Sequence, residues 1–141
     1  MIVNAILHSI SIILAIIVGV IVFVRNREEL INRLFLLYSF IIAFSSLTTI
    51  FLTFSSNQVI ALIWANCNFL WPLAVSVLLH ITIVHSNLFY GIKRWFFLVL
   101  IYWYWPLYVY FHLWGFLDIE VFRIASGWRY ITNIRNPYVA F

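Results

Sequence analysis

Residues 61–86 read ALIWANCNFLWPLAVSVLLHITIVHS, a stretch without a single Asp, Glu, Lys or Arg. The apolar run to which it belongs, Val59 to Val84, exceeds the ~20 residues that carry a helix across the hydrocarbon core of a bilayer. It is also too long for a strand, and backbone groups in lipid must find their partners within their own segment. A membrane-spanning helix follows. Working outward, the same reading applies to Ile2–Val24, Leu34–Phe54 and Trp95–Trp114. The connections are RNREELINR (Arg25 to Arg33), SSNQ (Ser55 to Gln58) and HSNLFYGIKR (His85 to Arg94), short enough to make neighbouring helices antiparallel. The expected fold is an all-α membrane protein. Residues 1–114 form an antiparallel bundle of four transmembrane helices, and residues 115–141 form an outer C-terminal segment.

Composition agrees. Of 141 residues, 66% are hydrophobic and 9% charged, against roughly 25% charged in ordinary soluble domains, and the mean hydropathy is +1.08. The net charge of +4 does not point to nucleic acid, because the basic residues are spread between apolar runs. Their placement reports orientation instead. The first connection carries Arg25, Arg27 and Arg33, the second no basic residue, and the third Lys93 and Arg94. Basic loops stay in the cytoplasm. The amino terminus and Gly115–Phe141 are therefore expected outside, although Arg123, Arg129 and Arg135 stand in that last segment beside Asp118 and Glu120. No Lys or Arg precedes the first run, so it reads as a retained anchor and not a cleaved signal. The aromatic WYWPLYVYFHLW, Trp103 to Trp114, suits an interfacial belt at the outer surface, with a kink at Pro106 absorbed by neighbouring helices. Cys67 is a lone cysteine inside an apolar run, which excludes an intrachain disulfide and suits a small core residue.

Polar residues within the runs recur at helical spacing. Asn4, His8, Ser11, Ala15 and Gly19 form one stripe; Ser39, Ala43, Ser46, Thr49 and Thr53 a second; Ala61, Ala65, Asn68, Pro72, Ser76 and His80 a third. The fourth helix has none. Such stripes face the bundle, either as packing seams where small residues let backbones approach or as the wall of a polar cavity for a small ligand. Asn68 and His80 lead the ligand reading, with Ser76 and Trp64 as further candidates. His8 and His112, both towards the outer side, form the one histidine pair at compatible depths for haem, whereas His80 lies towards the inner end and His85 in a loop. No Cys/His spacing resembles a zinc site, and neither metal nor cofactor is expected beyond that haem or pigment alternative. Glu28, Glu29, Asp118 and Glu120 all lie outside the apolar runs, and a phosphate loop, nucleophile elbow and zinc-protease motif are all missing. No enzyme is expected from these residues alone.

The stretch quoted at the outset also carries a resemblance. Trp64 opens the third run, Pro72 sits in its middle and His80 to His85 closes it, after a basic first turn followed by an apolar helix. This order resembles the N-terminal seven-transmembrane region of bacterial and archaeal sensor histidine kinases. That family carries an outer loop with Gly-Trp, a tyrosine and then Pro-Tyr before its fifth helix. Gly127, Trp128, Tyr130, Pro137 and Tyr138 stand here in that order, with Asn136 where the family often has a glycine. The resemblance covers most of the chain. It implies a membrane-embedded signal-input (sensor) module of the two-component type, in a prokaryotic plasma membrane, coupled to a cytoplasmic output domain that these residues do not contain. PYVAF, Pro137 to Phe141, reads as the opening of another helix, since proline suits a first turn. A chain continuing past Phe141 is thus expected. The alternative is a structural or accessory subunit of a larger membrane complex. Either reading implies lipids around the bundle and a membrane-protein partner or a second copy beside it.

Overall fold

The computed structural model of the chain describes residues 2–86, 91–113, 117–125 and 127–134. Five α-helices and a β-hairpin follow in order: α1 (Ile2–Arg25), α2 (Leu30–Thr53), α3 (Gln58–Cys67), α4 (Trp71–Ser86), α5 (Ile92–Leu113), β1 (Leu117–Ile124) and β2 (Gly127–Ile134), with a 3-10 turn Asn68–Leu70 joining α3 to α4. Among the described residues three helical stretches are long and apolar enough to cross a membrane: Ile2–Arg25, Leu30–Thr53 and Gln58–Ser86. The last runs through the 3-10 turn.

Local chemistry sets the boundaries. Between α1 and α2, the Asn26 side chain accepts from the Glu28 backbone N–H at 3.2 Å, while Asn32 and Arg33 reach back to the carbonyls of Asn26 and Arg27 at 2.8 and 2.7 Å. At the start of α3, Asn57 is extended and its side-chain oxygen accepts from the Ile60 N–H at 2.9 Å, satisfying one of the orphan donors of a helix start. The single helix expected over Val59–Val84 is divided. Pro72 has no N–H to offer the carbonyl of Asn68, and its ring crowds the preceding turn, so the chain tightens. The Trp71 N–H bonds to the Asn68 carbonyl instead, and Pro72 falls in the first turn of α4, where its missing donor costs nothing.

α2 is the central helix, with α1 on one side and α3 and α4 on the other; α5 packs on α4. The stripe on α1 turns towards α2. Gly19 is buried and Asn4, His8, Ser11 and Ala15 are half-buried, whereas Leu7, Ile13, Leu14 and Ile21 are exposed. A Cβ on Gly19 would lie 2.6 Å from the Cβ of Ser39, so glycine is what permits the close approach. Burial runs opposite to that of a soluble domain. Ser39, Ser45, Ser46, Thr48, Thr53 and Ser76 are buried while large aliphatic side chains of α1 face outward, the pattern expected where the surroundings are hydrocarbon. Two apolar clusters hold the bundle. Leu34, Ile41, Ala74 and Val77 pack with Tyr102, and Leu52, Ala61, Ala65 and Val121 pack with Trp64, Ile119, Trp128 and Tyr130.

That second cluster marks a correction. Within the outer C-terminal segment, the all-α expectation gives way over β1 and β2 to an antiparallel hairpin in which Val121 pairs with Tyr130 and Ile124 with Gly127. The reason lies in the period-two pattern of DIEVFRI and GWRYITN: Ile119, Val121, Trp128 and Tyr130 face the helices, while Glu120, Phe122 and Ile131 are exposed. β1 lies against α3, and β2 against α2. Gly127 has φ +116°, and a Cβ there would sit 2.6 Å from the Thr53 carbonyl oxygen. Only glycine meets both demands. The further helix expected at Pro137–Phe141 lies outside the described residues.

Candidate functional site

The 3-10 turn places Asn68 where helices and hairpin meet. Its side-chain oxygen accepts from Ser45 Oγ at 2.7 Å and Thr48 Oγ1 at 3.4 Å, both on α2. Its side-chain nitrogen donates to the phenol oxygen of Tyr130 on β2 at 2.8 Å. One amide thereby joins α2, the helix break and the hairpin. Thr49 donates to the Ser45 carbonyl at 2.9 Å, and the single Thr48 hydroxyl proton is shared between that carbonyl, at 2.9 Å, and the longer contact with Asn68. Above this junction lies a cleft of about 350 Å³, lined by His8 and Ser11 of α1, Ser45, Ser46 and Thr49 of α2, and Asn68, Trp71 and Tyr130. Ser46 Oγ and Ser11 Oγ, 3.4 Å apart, tie α1 to its floor.

The four ligand candidates separate. Asn68 is in the cleft. Ser76 is buried on the α4–α5 seam and donates to the Ile101 carbonyl at 2.9 Å. His80 lies on the same seam, its Nδ1 2.9 Å from the Tyr102 hydroxyl and its ring edge-on to that tyrosine at 5.6 Å. Trp64 stacks on Phe51 at 4.4 Å and 18° and packs against the cluster of Leu52, Ala61 and Ala65, away from the residues that line the cleft. His8 lines the cleft, whereas His112 stacks on Tyr108 of its own helix at 6.3 Å. Among the described residues no group of three or more His, Cys, Asp and Glu gathers.

Ser45, Thr48 and Trp71 fall outside the stripes read from the sequence. α2 buries two faces, one against α1 and one against α3 and α4, and a single helical phase finds only the first. Tyr130 was visible as part of the Gly-Trp-x-Tyr order, but its partner 62 residues upstream was not. A second junction anchors the hairpin: Trp128 Nε1 donates to the Ser55 carbonyl at 3.0 Å, beside the end of α2.

Fold and site together define a mostly helical protein, with three helical stretches able to cross a membrane and an uncharged cleft to whose wall the β-hairpin contributes Tyr130. No known family model matches the chain, and no curated protein or solved structure is significantly similar to it.

Proposed function

We propose that the chain is the membrane-embedded input part of a sensor: four antiparallel spanning helices, amino terminus outside, in a prokaryotic plasma membrane, passing a signal to a cytoplasmic output domain. The observation that carries this reading is the Asn68 junction. It links an outer hairpin to a break in a spanning helix, and a helix break is where a packed bundle can hold two arrangements. A ligand that prefers one arrangement shifts the population towards it. The resemblance to the seven-transmembrane region of sensor histidine kinases supports the same assignment. α5 then forms the fourth span, and its exposed Trp95, Trp103 and Tyr104 face lipid or interface.

The test is a distance measurement between spin labels at the inner ends of α1 and α4, using Arg27→Cys and Ser86→Cys with Cys67→Ala in liposomes. An input module gives a distance distribution whose populations shift when Tyr130→Phe removes the link to Asn68. A single distribution indifferent to that change overturns the reading. It would favour the accessory-subunit alternative, for which the exposed aromatic face of α5 supplies a docking surface.

A further inference from the structure

The cleft has a chemical character that narrows what it can hold. None of its lining residues is Asp, Glu, Lys or Arg. Ser45 lies about two turns, ~12 Å, inside the Thr53 end of α2, and His8 about 9 Å inside the start of α1, at 1.5 Å per residue. In a spanning bundle that depth is within or at the edge of the ~30 Å hydrocarbon layer. A charged ligand would meet no countercharge there and would carry a desolvation cost. A neutral one would find unused hydrogen-bonding capacity. The Tyr130 oxygen accepts from Asn68, which leaves its O–H to donate. His8 makes no hydrogen bond to any described residue, so its ring offers a donor and an acceptor. Trp71 is 49% exposed and gives the cleft a flat apolar flank, with Ile42 beside it.

Resting on the input-module reading, we propose that this cleft takes the uncharged head group, hydroxyl or carbonyl, of a single-chain amphiphile that arrives through the membrane. The head bonds to Tyr130 and His8, and the chain lies along Trp71 towards lipid. Since Tyr130 also holds Asn68, an occupant is sensed at the bond that connects hairpin and helix break.

Photoaffinity labelling of the chain in liposomes tests this, using a diazirine-bearing hexadecanol and, as the charged counterpart, a diazirine-bearing hexadecyltrimethylammonium. The alcohol should label peptides holding Ser45–Thr49 and Asn68–Trp71, and unlabelled hexadecanol should compete. His8→Phe combined with Ser11→Ala, on α1 and away from the Asn68 junction, should lower this labelling roughly tenfold, as loss of one or two hydrogen bonds does. A Trp71→Ala variant should lower it as well. Equal labelling by the cation, or alcohol labelling unchanged in both variants, overturns the proposal, as does a cleft that holds only water or another helix and takes no alcohol. The spin-label distances separate the two ideas. Alcohol bound in the cleft with no distance response leaves the ligand class standing and removes the input reading. A distance response to Tyr130→Phe without alcohol binding does the reverse.

Discussion

The side-chain amide of Asn68 donates to the phenol of Tyr130 at 2.8 Å, joining a helix break to a hairpin strand 62 residues away. The same amide accepts from Ser45 on the central helix. Asn68→Leu removes both bonds and leaves the Ser45 hydroxyl without this acceptor, whereas Thr48 keeps its bond to the Ser45 carbonyl. Unfolding by SDS should report a loss of about 1–2 kcal/mol, with Tyr130→Phe alone costing about 0.6 kcal/mol, the mean for interhelical bonds in lipid. The double variant should fall short of additivity, because both singles delete one shared bond. Strict additivity would show that the two groups do not interact.

Gly127 and Gly91 both have positive φ, at +116° and +59°, but differ in surroundings. Among the described residues nothing lies within 4 Å of a Cβ on Gly91, whereas one on Gly127 meets the Thr53 carbonyl at 2.6 Å. Gly91→Ala should therefore cost only the left-handed backbone term, about 1 kcal/mol. Gly127→Ala should lift β2 from α2 and break the Trp128 to Ser55 bond. Hydrogen exchange at Val121 and Tyr130 reads this directly: protection should collapse in Gly127→Ala and persist in Gly91→Ala.

How much of this was legible follows from which signals are local. Long apolar runs mark helices without reference to any partner, and the spacing of Asn4, His8, Ser11, Ala15 and Gly19 found the face of α1 that turns to α2. Pro72 was visible in the middle of the third run, but mid-helix proline is often absorbed as a kink, and only the Trp71 N–H bond to Asn68 reveals a 3-10 turn. The hairpin was missed because its alternation is short and interrupted by Arg123, which falls in phase with Ile119 and Val121, and because the helix faces that cover it are themselves invisible in sequence. The cleft was half legible. Asn68 and His8 stood out as polar groups in apolar runs, while Ser45 lay on the second buried face of α2 and Tyr130 depended on a contact far along the chain.

Gly19 and Ser39 make a pairwise test of the α1–α2 seam. A Cβ on Gly19 would lie 2.6 Å from Ser39 Cβ and 2.7 Å from its Oγ, and a Cβ cannot swing away as a side-chain tip can. Gly19→Ala should separate the helices and destabilise the bundle by about 1–3 kcal/mol, as overpacking does. Ser39→Gly opens the same space from the other side, since among the described residues the Ser39 hydroxyl bonds only to its own helix at Phe35. The double variant should recover much of the loss in SDS unfolding. Ser39→Ala, which keeps the Cβ, should not.

Orientation in the membrane can be decided apart from the bundle's internal packing. The Trp128 bond to the Ser55 carbonyl puts the hairpin and the α2–α3 turn at one end of the molecule, and the connection Arg25–Arg33 occupies the other end of α2. Basic connections are retained in the cytoplasm, so the hairpin end should be outside. With Cys67→Ala as background, Ser56→Cys and Glu120→Cys should react with a membrane-impermeant maleimide on intact cells, and Arg27→Cys only after lysis. Labelling of Arg27→Cys alone would invert the topology and put the cleft on the cytoplasmic side, against the input-module reading. Labelling of Ser56→Cys without Glu120→Cys would separate the hairpin from the turn it packs on and refute the Gly127 and Trp128 contacts together.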